Sequence, residues 1–304
     1  MKLVTVGTVA IDDIETPRGR AANAIGGAAT YISRSAANFV DSQGIVSVVG
    51  GDFPKSELAE LEANGISIEG IEVREEEKSF FWAGRYHTNM NQRDTLITDL
   101  NVLADFNPIL PESYRRAEYL MLGNLTPEIQ LNVLNQMNQR PKMVALDTMN
   151  FWMDVALDSL LTVLRHIDIL MINEEEARQL SREYSLSRAA ELIHQMGPKY
   201  LIIKKGEHGA FLFHERELFS IPALPVADVI DPTGAGDTFA GGFMGYLSDS
   251  DDLSFDNFKR AMVYASVMGS FCVEDFSLGR LKTLTSAEIE ERVQQFVQLT
   301  QFQI

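Results

Sequence analysis

The chain has 304 residues, 45% of them hydrophobic, which is enough for one large α/β domain or two small ones. Its 43 acidic and 26 basic residues give a formal net charge of -17, so the surface as a whole repels nucleic acid and anionic lipid. A single cysteine, no secretory leader pattern and no apolar run of roughly 18 residues predict a cytoplasmic protein without internal disulfides that binds neither nucleic acid nor a membrane.

Short apolar runs alternate with helical patterns along the chain. Residues 2–6 end in three β-branched side chains and precede Gly7, which predicts a buried strand that ends in a turn. Residues 28–39 follow two glycines and predict a helix packed closely beneath a loop that approaches a ligand. The alternation predicts a mostly parallel sheet with helices on both faces and ligands beyond the carboxyl ends of the strands. Further strands are predicted at residues 45–49, 119–122, 143–146, 169–172 and 201–203, and further helices at residues 127–137, 187–196 and 286–300.

One segment breaks this alternation. Residues 79–87 and 93–98 are strand-like and flank a polar tip, so they predict a projecting hairpin. Such a hairpin can be a lid over a site or an ordinary edge of a sheet, and both readings are open. Arg85 and Arg93 on it are candidate contacts for a substrate or a phosphate, or else part of a solvated strand face.

Residues 231–244 carry the clearest chemical signal. Small residues precede a helix there, so the backbone N–H groups of residues 234–236 are unshielded at a helix N-terminus, where an anion is favoured. Asp237 lies in the first turn, next to any phosphate held there, and an aspartate can accept the proton of an attacking hydroxyl. This arrangement suits phosphoryl transfer, although a lone aspartate can also simply stabilise its helix.

This stretch resembles the C-terminal signature of the ribokinase-like (PfkB) carbohydrate and nucleoside kinases. The resemblance implies that Asp237 is the catalytic base and that Gly234, Ala235 and Gly236 stabilise the charge of the transition state and hold the nucleotide's phosphates.

The family implies a fold as well. We expect a single three-layer α/β/α domain over residues 1–304, with a mostly parallel central sheet. A small β-sheet lid is expected from about residues 12–24 and 79–98.

The N-terminal region is also similar to the family. Its first strand and turn match residues 7–12, which implies that Asp12 binds substrate hydroxyls, and Gly26 and Gly27 match a glycine pair that approaches the substrate. Tyr31 stands where a ribokinase has a sugar-binding asparagine. Its ring either stacks on the substrate, which would suit a nucleoside, or packs in the core.

Two turns in the middle of the chain resemble nucleotide-binding elements. Asn173 and Glu176 match an Asn-x-x-Glu element associated with magnesium and phosphate. Gly206 and Gly209 match a turn whose backbone passes close to ATP, and Lys204 stands where the family often has a threonine, so a contact through its amine is an open question.

Two further regions are similar in position. Asp147 and Asn150 correspond to a region near the phosphate path, and residues 264–271 correspond to the helix beside the adenine ring.

The resemblance implies an ATP-dependent kinase that phosphorylates the hydroxymethyl group of a small sugar, with a nucleoside as the alternative acceptor. The implied cofactors are ATP and Mg2+, with a monovalent cation as an additional candidate. Pairing of two lids would bury the aromatics Phe80, Phe81, Trp82 and Tyr86 and favours a homodimer, and a monomer whose rings fold onto its own substrate is the alternative. A Rossmann dehydrogenase is disfavoured because no Gly-x-Gly-x-x-Gly follows the first strand. A non-catalytic sensor on the same fold is disfavoured by the presence of Asp237.

Overall fold

The computed structural model describes residues 1–215 and 217–301, so the last residues of the predicted domain, 302–304, lie outside the described residues. Thirteen strands form within the described part of the chain: β1 (Leu3–Val6), β2 (Ala10–Thr16), β3 (Gly19–Gly26), β4 (Gln43–Gly50), β5 (Ile66–Arg74), β6 (Phe80–Tyr86), β7 (Arg93–Asp99), β8 (Tyr119–Leu122), β9 (Met143–Asp147), β10 (Ile169–Asn173), β11 (Tyr200–Lys204), β12 (Ala210–His214) and β13 (Glu217–Ile221).

Eleven α-helices connect or cover these strands, and none in the described residues is long and apolar enough to cross a membrane. They are α1 (Ala28–Ala36), α2 (Lys55–Ala63), α3 (Pro127–Gln136), α4 (Asn150–Val155), α5 (Leu157–Leu164), α6 (Glu174–Ser181), α7 (Leu186–His194), α8 (Ala235–Ser250), α9 (Phe255–Cys272), α10 (Gly279–Lys282) and α11 (Ser286–Thr300).

A nine-stranded sheet forms the centre of the molecule, in the order β13-β12-β11-β10-β9-β8-β1-β4-β5. The strands from β11 to β5 are parallel, and β12 and β13 add an antiparallel edge. The predicted α/β architecture is confirmed, and the predicted strands lie within two residues of the observed ones. The predicted helix at residues 28–39 is shorter, because α1 ends at Ala36 and a turn follows.

Alternating side chains of the parallel strands bury both faces of this sheet. In β10, Ile169 and Met171 join the core beneath α1, α8 and α9, whereas Leu170 and Ile172 join the core beneath α3, α5, α6 and α7. Since strand side chains alternate with a period of two, apolar residues at every position are what a sheet covered on both faces requires.

Helices α1 and α8 pack closely on one face of the sheet, as the small residues of α1 predict. A Cβ on Gly241 would lie 2.2 Å from the carbonyl oxygen of Ile32, so only glycine permits this approach. The hydroxyl of Ser35 donates a hydrogen bond of 2.7 Å to the carbonyl of Thr238. The start of α8 is therefore fixed against α1.

A separate small sheet has the order β3-β2-β6-β7. The predicted hairpin is confirmed as β6 and β7, and β2 pairs in parallel with β6, with Ala10 opposite Phe80. Strands β2 and β3 match the lid segment expected at about residues 12–24, although Asp12, which was matched to the end of a first strand and turn, lies inside β2. The edge strand β7 is exposed along its whole length.

Candidate active site

The loop before α8 is held in shape by Asp231. This aspartate is fully buried, and its carboxylate accepts hydrogen bonds from the backbone N–H groups of Thr233 (2.8 Å) and Ser277 (3.2 Å). Gly234 follows with φ of 74°, in the left-handed region that favours glycine. The loop then enters α8 at Ala235, whose N–H donates to the carbonyl of Pro232 (3.2 Å), while the N–H groups of Gly234 and Gly236 have no backbone partner among the described residues. We call residues 234–236 the anion cradle.

Tyr31 packs beneath the anion cradle. A Cβ on Gly234 would lie 2.5 Å from carbons of the Tyr31 ring, so the ring fills the space that a side chain at position 234 would need. The tyrosine is 1% exposed, and its hydroxyl has no hydrogen-bond partner among the described residues. Of the two roles left open by the sequence, this placement corresponds to core packing.

Asp237 lies in the first turn of α8, and its carboxylate accepts no hydrogen bond from any described residue. Burial, together with the negative charge of Asp147, raises its pKa to about 7, while Lys204 and Arg93 act in the opposite direction. A carboxylate whose pKa lies near neutral pH suits proton abstraction from a hydroxyl.

Three parallel strands end beside the anion cradle. Asp147 ends β9, Asn173 ends β10 and Lys204 ends β11, and the register places Asn173 opposite Lys204. The preceding residues with the same parity, such as Ala145, Met171 and Ile202, belong to the core on the α8 face. Because strand side chains alternate, all three terminal side chains lie on the face that α8 covers.

Lys204 bridges to Asp147 across the end of β10. Its Nζ lies 2.5 Å from Oδ2 of Asp147 and 3.1 Å from the position of a Cβ on Gly236. Burial disfavours the ammonium, but the charges of Asp147, Glu176 and Asp237 outweigh burial and raise the pKa of Lys204. A positive charge therefore lies against the anion cradle.

Asn173 and Glu176 form a reciprocal cap at the start of α6. The side chain of Asn173 accepts from the N–H of Glu176 (2.9 Å), and Oε2 of Glu176 accepts from the N–H of Asn173 (2.8 Å). Burial, reinforced by the charge of Asp147, raises the pKa of Glu176 to about 7. One carboxylate oxygen of Glu176 remains without a hydrogen bond from the described residues.

Asn150, at the start of α4, is exposed, and its side-chain oxygen accepts from the adjacent N–H of Phe151. Asp147 therefore joins the cluster at the strand ends, whereas Asn150 makes a local contact.

The glycines at 206 and 209 bend the turn after β11. Both have positive φ, 54° and 86°, and a Cβ on Gly209 would lie 2.0 Å from the carbonyl oxygen of Ile221. A Cβ on Gly206 would lie 3.0 Å from the side-chain oxygen of Asn91, at the tip of the β6–β7 hairpin. Asn91 also donates a hydrogen bond of 3.3 Å to Glu207. The hairpin thus reaches across to this turn.

Asp12 lies in β2, a strand of the small sheet. Its side chain is buried, with 4% of the residue exposed, and accepts no hydrogen bond from the described residues. A Cβ on Gly26 would lie 1.8 Å from its Oδ2, so glycine at 26 makes room for the carboxylate. Burial, with the charges of Asp231, Asp237 and Asp13, raises the pKa of Asp12 to about 8. Gly27 (φ 93°) places the chain against the carbonyl of Thr8 before α1 begins.

The hairpin contributes one contact that the sequence did not reveal. The hydroxyl of Thr233 donates a hydrogen bond of 3.2 Å to the hydroxyl of Tyr86, which is 7% exposed. Of the two arginines considered, Arg85 pairs with Glu15 at 3.0 Å, whereas the charge of Arg93 acts on Asp237 and Glu176.

In the part of the chain that the structure describes, no group of three or more His, Cys, Asp or Glu side chains is placed to hold a metal ion by itself. Magnesium that arrives with a nucleotide needs fewer protein ligands, because phosphate oxygens and water complete its shell. The free oxygen of Glu176 fits such a role.

Comparison with known proteins places these features in a family. The sequence model described as pfkB family carbohydrate kinase matches residues 2–282. A cytidine kinase of Thermococcus kodakarensis is 32% identical over 250 residues, which covers 80% of this chain and 87% of that protein.

Two solved structures share the fold. The nucleoside kinase of Methanocaldococcus jannaschii has a TM-score of 0.77 at 21% identity and covers 97% of this chain and 99% of its own. The ribokinase of Arabidopsis thaliana, complexed with ribose and ATP, has a TM-score of 0.76 at 20% identity and covers 96% of this chain and 98% of its own.

Proposed function

The chain belongs to the pfkB family of carbohydrate kinases and is an ATP-dependent phosphotransferase with an alcohol acceptor, and we propose that this acceptor is a nucleoside. The similarity to a cytidine kinase over most of the chain favours a nucleoside. A small sugar such as a pentose or ketose is the second candidate, because the family as a whole phosphorylates carbohydrates.

Two carboxylates carry the proposal for the site. Asp12 is buried and Asp237 is partly exposed, and neither accepts a hydrogen bond from the described residues. Acceptors that are largely removed from water and lack a partner cost free energy, so such groups in an enzyme commonly await a ligand. Asp12 is suited to accept hydrogen bonds from ribose hydroxyls, and Asp237 to accept the proton of the attacking hydroxyl.

In the proposed reaction, Asp237 takes up the proton and the anion cradle binds the charged oxygens. The acceptor oxygen bonds to the γ-phosphorus of ATP, its proton passes to Asp237, and the bond from the γ-phosphorus to the bridging oxygen breaks to release ADP. The N–H groups of the anion cradle donate to the oxygens of the transferred group.

The turn with Gly206 and Gly209 is proposed to hold the nucleotide, and Asn173 and Glu176 to lie beside its metal ion. Magnesium would offset phosphate charge when bound. A monovalent cation is a further candidate activator, and exchange of K+ for Na+ in the assay tests it.

The β6–β7 hairpin is proposed to close over the acceptor. Its Tyr86 contacts the loop before the anion cradle and its tip contacts Gly206, so the hairpin spans both halves of the site. Closure would exclude water that otherwise hydrolyses ATP.

We also propose a homodimer through the edge of this hairpin. Strand β7 has an unpaired edge, and its Leu96 and Ile97 are 51% and 45% exposed. Light scattering after gel filtration should give about twice the chain mass of 33.9 kDa, and Leu96→Lys should lower it to that of one chain. A single-chain mass for the wild type contradicts the dimer.

A substrate panel tests the acceptor. ADP release from ATP and Mg2+ should be fastest with cytidine or another nucleoside, and slower with ribose, fructose or sugar acids. Asp237→Asn should lower kcat by about 100- to 10,000-fold and leave ATP binding nearly unchanged.

Each result separates the proposals. Faster turnover of a free sugar would replace the nucleoside with the second candidate. Turnover that survives in Asp237→Asn would remove this residue as the base, whatever the acceptor.

A further inference from the structure

Lys204 lies where a positive charge can act on the transferred group. Tyr200, Ile202 and Lys204 alternate along β11 on the face that α8 covers, so the lysine side chain is directed toward the start of that helix. Its Nζ lies 3.1 Å from the Cβ position of Gly236, and 16% of its side chain is exposed. The ammonium is held against the cradle, and the side chain that carries it is largely but not fully buried.

A role in stability alone accounts poorly for this lysine. An isolated buried ion pair is weak evidence for stability, because removing both ions from water costs about as much as their attraction returns. Three carboxylates, Asp147, Glu176 and Asp237, act on this one ammonium, so the cluster has an excess of negative charge. Such a cluster would repel phosphate if the ammonium did not lie between the carboxylates and the anion.

We propose that the Lys204 ammonium contacts the phosphoryl group during its transfer, and that Asp147 is a positioning residue that orients the ammonium toward the anion cradle. The inference rests on the proposed roles of Asp237 and the anion cradle. In the transition state charge is spread over the equatorial oxygens of the transferred group and develops on the bridging oxygen that leaves with ADP. A cation fixed beside these oxygens can therefore stabilise the transition state more than the ground state.

The pairing geometry explains why Asp147 is needed. A lysine side chain has four rotatable bonds and a single compact charge, so an unrestrained ammonium samples many positions. The 2.5 Å contact with Asp147 fixes it at the end of the neighbouring strands, whose register is set by the sheet. Both partners lie on rigid elements, which is what a preorganised charge requires.

A transition-state mimic provides the test. Affinities for ADP, and for ADP with Mg2+, aluminium fluoride and the best nucleoside of the panel, are measured by calorimetry for wild type, Lys204→Met and Lys204→Arg. Lys204→Met should bind ADP within about threefold of wild type but lose about 100-fold of the extra affinity for the fluoride complex. Its kcat should fall by a similar factor with little change in KM for the nucleoside. Lys204→Arg should regain part of both.

A matched control removes a lysine from another ion pair. Lys142 pairs with Asp251 at 2.7 Å and directly precedes β9, at the opposite end of the strand that Asp147 ends. Lys142→Met should behave as wild type in both measurements. If Lys204→Met proves unstable, Lys204→Met combined with Asp147→Asn removes both charges together and should show the same selective loss.

The outcomes separate this inference from the proposed function. Full tightening by the fluoride complex in Lys204→Met would overturn the role of Lys204 and leave the anion cradle intact. A wild type that binds the fluoride complex no more tightly than ADP would overturn both together.

Discussion

The two sides proposed for the active site differ in how their buried charges are paired. On the proposed phosphate side, Asp147 is paired with Lys204, and Asn173 and Glu176 cap a helix reciprocally. On the proposed acceptor side, Asp12 is equally buried but has no hydrogen-bond partner among the described residues. The difference matches the proposed ligands: an anion is favoured where a cation such as Lys204 lies among the carboxylates, whereas neutral hydroxyls require a free acceptor.

This contrast implies opposite responses to removing a carboxylate. On the phosphate side the loss leaves a buried cation unpaired, which is costly. On the acceptor side the loss removes an uncompensated buried charge, which stabilises the folded state. A substitution on the phosphate side should therefore lower both stability and activity. A substitution on the acceptor side should lower activity but raise stability.

Asp147→Asn should give the larger change in stability. Because Lys204 loses its 2.5 Å partner, we expect the free energy of unfolding to fall by about 3 kcal/mol, measured by urea denaturation at pH 7.5. The matched control is Asp251→Asn, which removes one of the two carboxylates that pair with Lys142 at the surface and should cost less than about 1 kcal/mol. Equal effects of the two substitutions would show that the phosphate side gains nothing from its ion pair.

Asp12→Asn should give a smaller change of the opposite sign. The pKa of Asp12 is about 8 in the folded chain against an ordinary value of 3.8, so between these pH values the folded state holds a proton that the unfolded state has lost. The contribution of Asp12 to stability therefore declines as the pH rises through this range. The asparagine variant should be stabilised by about 2 kcal/mol at pH 8 and by less at pH 5.

The same variant should bind the acceptor at least about 100-fold more weakly, because an amide replaces the carboxylate. Thermal unfolding at both pH values and a KM measurement check the two parts. Asp13→Asn, which removes the partner of Arg20, is the neighbouring control: it should leave the KM of the acceptor unchanged and stabilise the chain at pH 8 less than Asp12→Asn, because Asp13 is the smallest of the charges that raise the pKa of Asp12. A loss of stability in Asp12→Asn at pH 8 would mean that Asp12 has a structural partner, and the contrast between the two sides would fail.

The central sheet was predictable because its strands are buried on both faces. Short apolar runs such as residues 169–172, placed between helical patterns, are typical of buried strands. Family membership confirms the resemblance found in residues 231–244. The small sheet was harder, since β2 carries two aspartates and a glutamate, residues that are depleted in strands. Asp12 was therefore expected in a turn.

Contacts between residues that are distant along the chain could not be predicted from the sequence. The bond between Thr233 and Tyr86 joins positions 147 residues apart, and neither side chain carries a signal for it. The pair of Lys204 and Asp147 was partly foreseeable, because both follow predicted parallel strands. Which helix covers that face, and hence the approach to Gly236, depends on the packing of α1 against α8.

The contact between Asn91 and Glu207 bears on the order in which product and nucleotide leave the site. It joins the tip of the hairpin that is proposed to close over the acceptor to the turn proposed for the nucleotide, so the hairpin cannot lift without breaking it. An exposed hydrogen bond of this kind is worth only about 1 kcal/mol, weak enough to break in every catalytic cycle. Release of the phosphorylated product and exchange of ADP for ATP would then both require the hairpin to open. The slower of these two steps would determine how long the hairpin stays open.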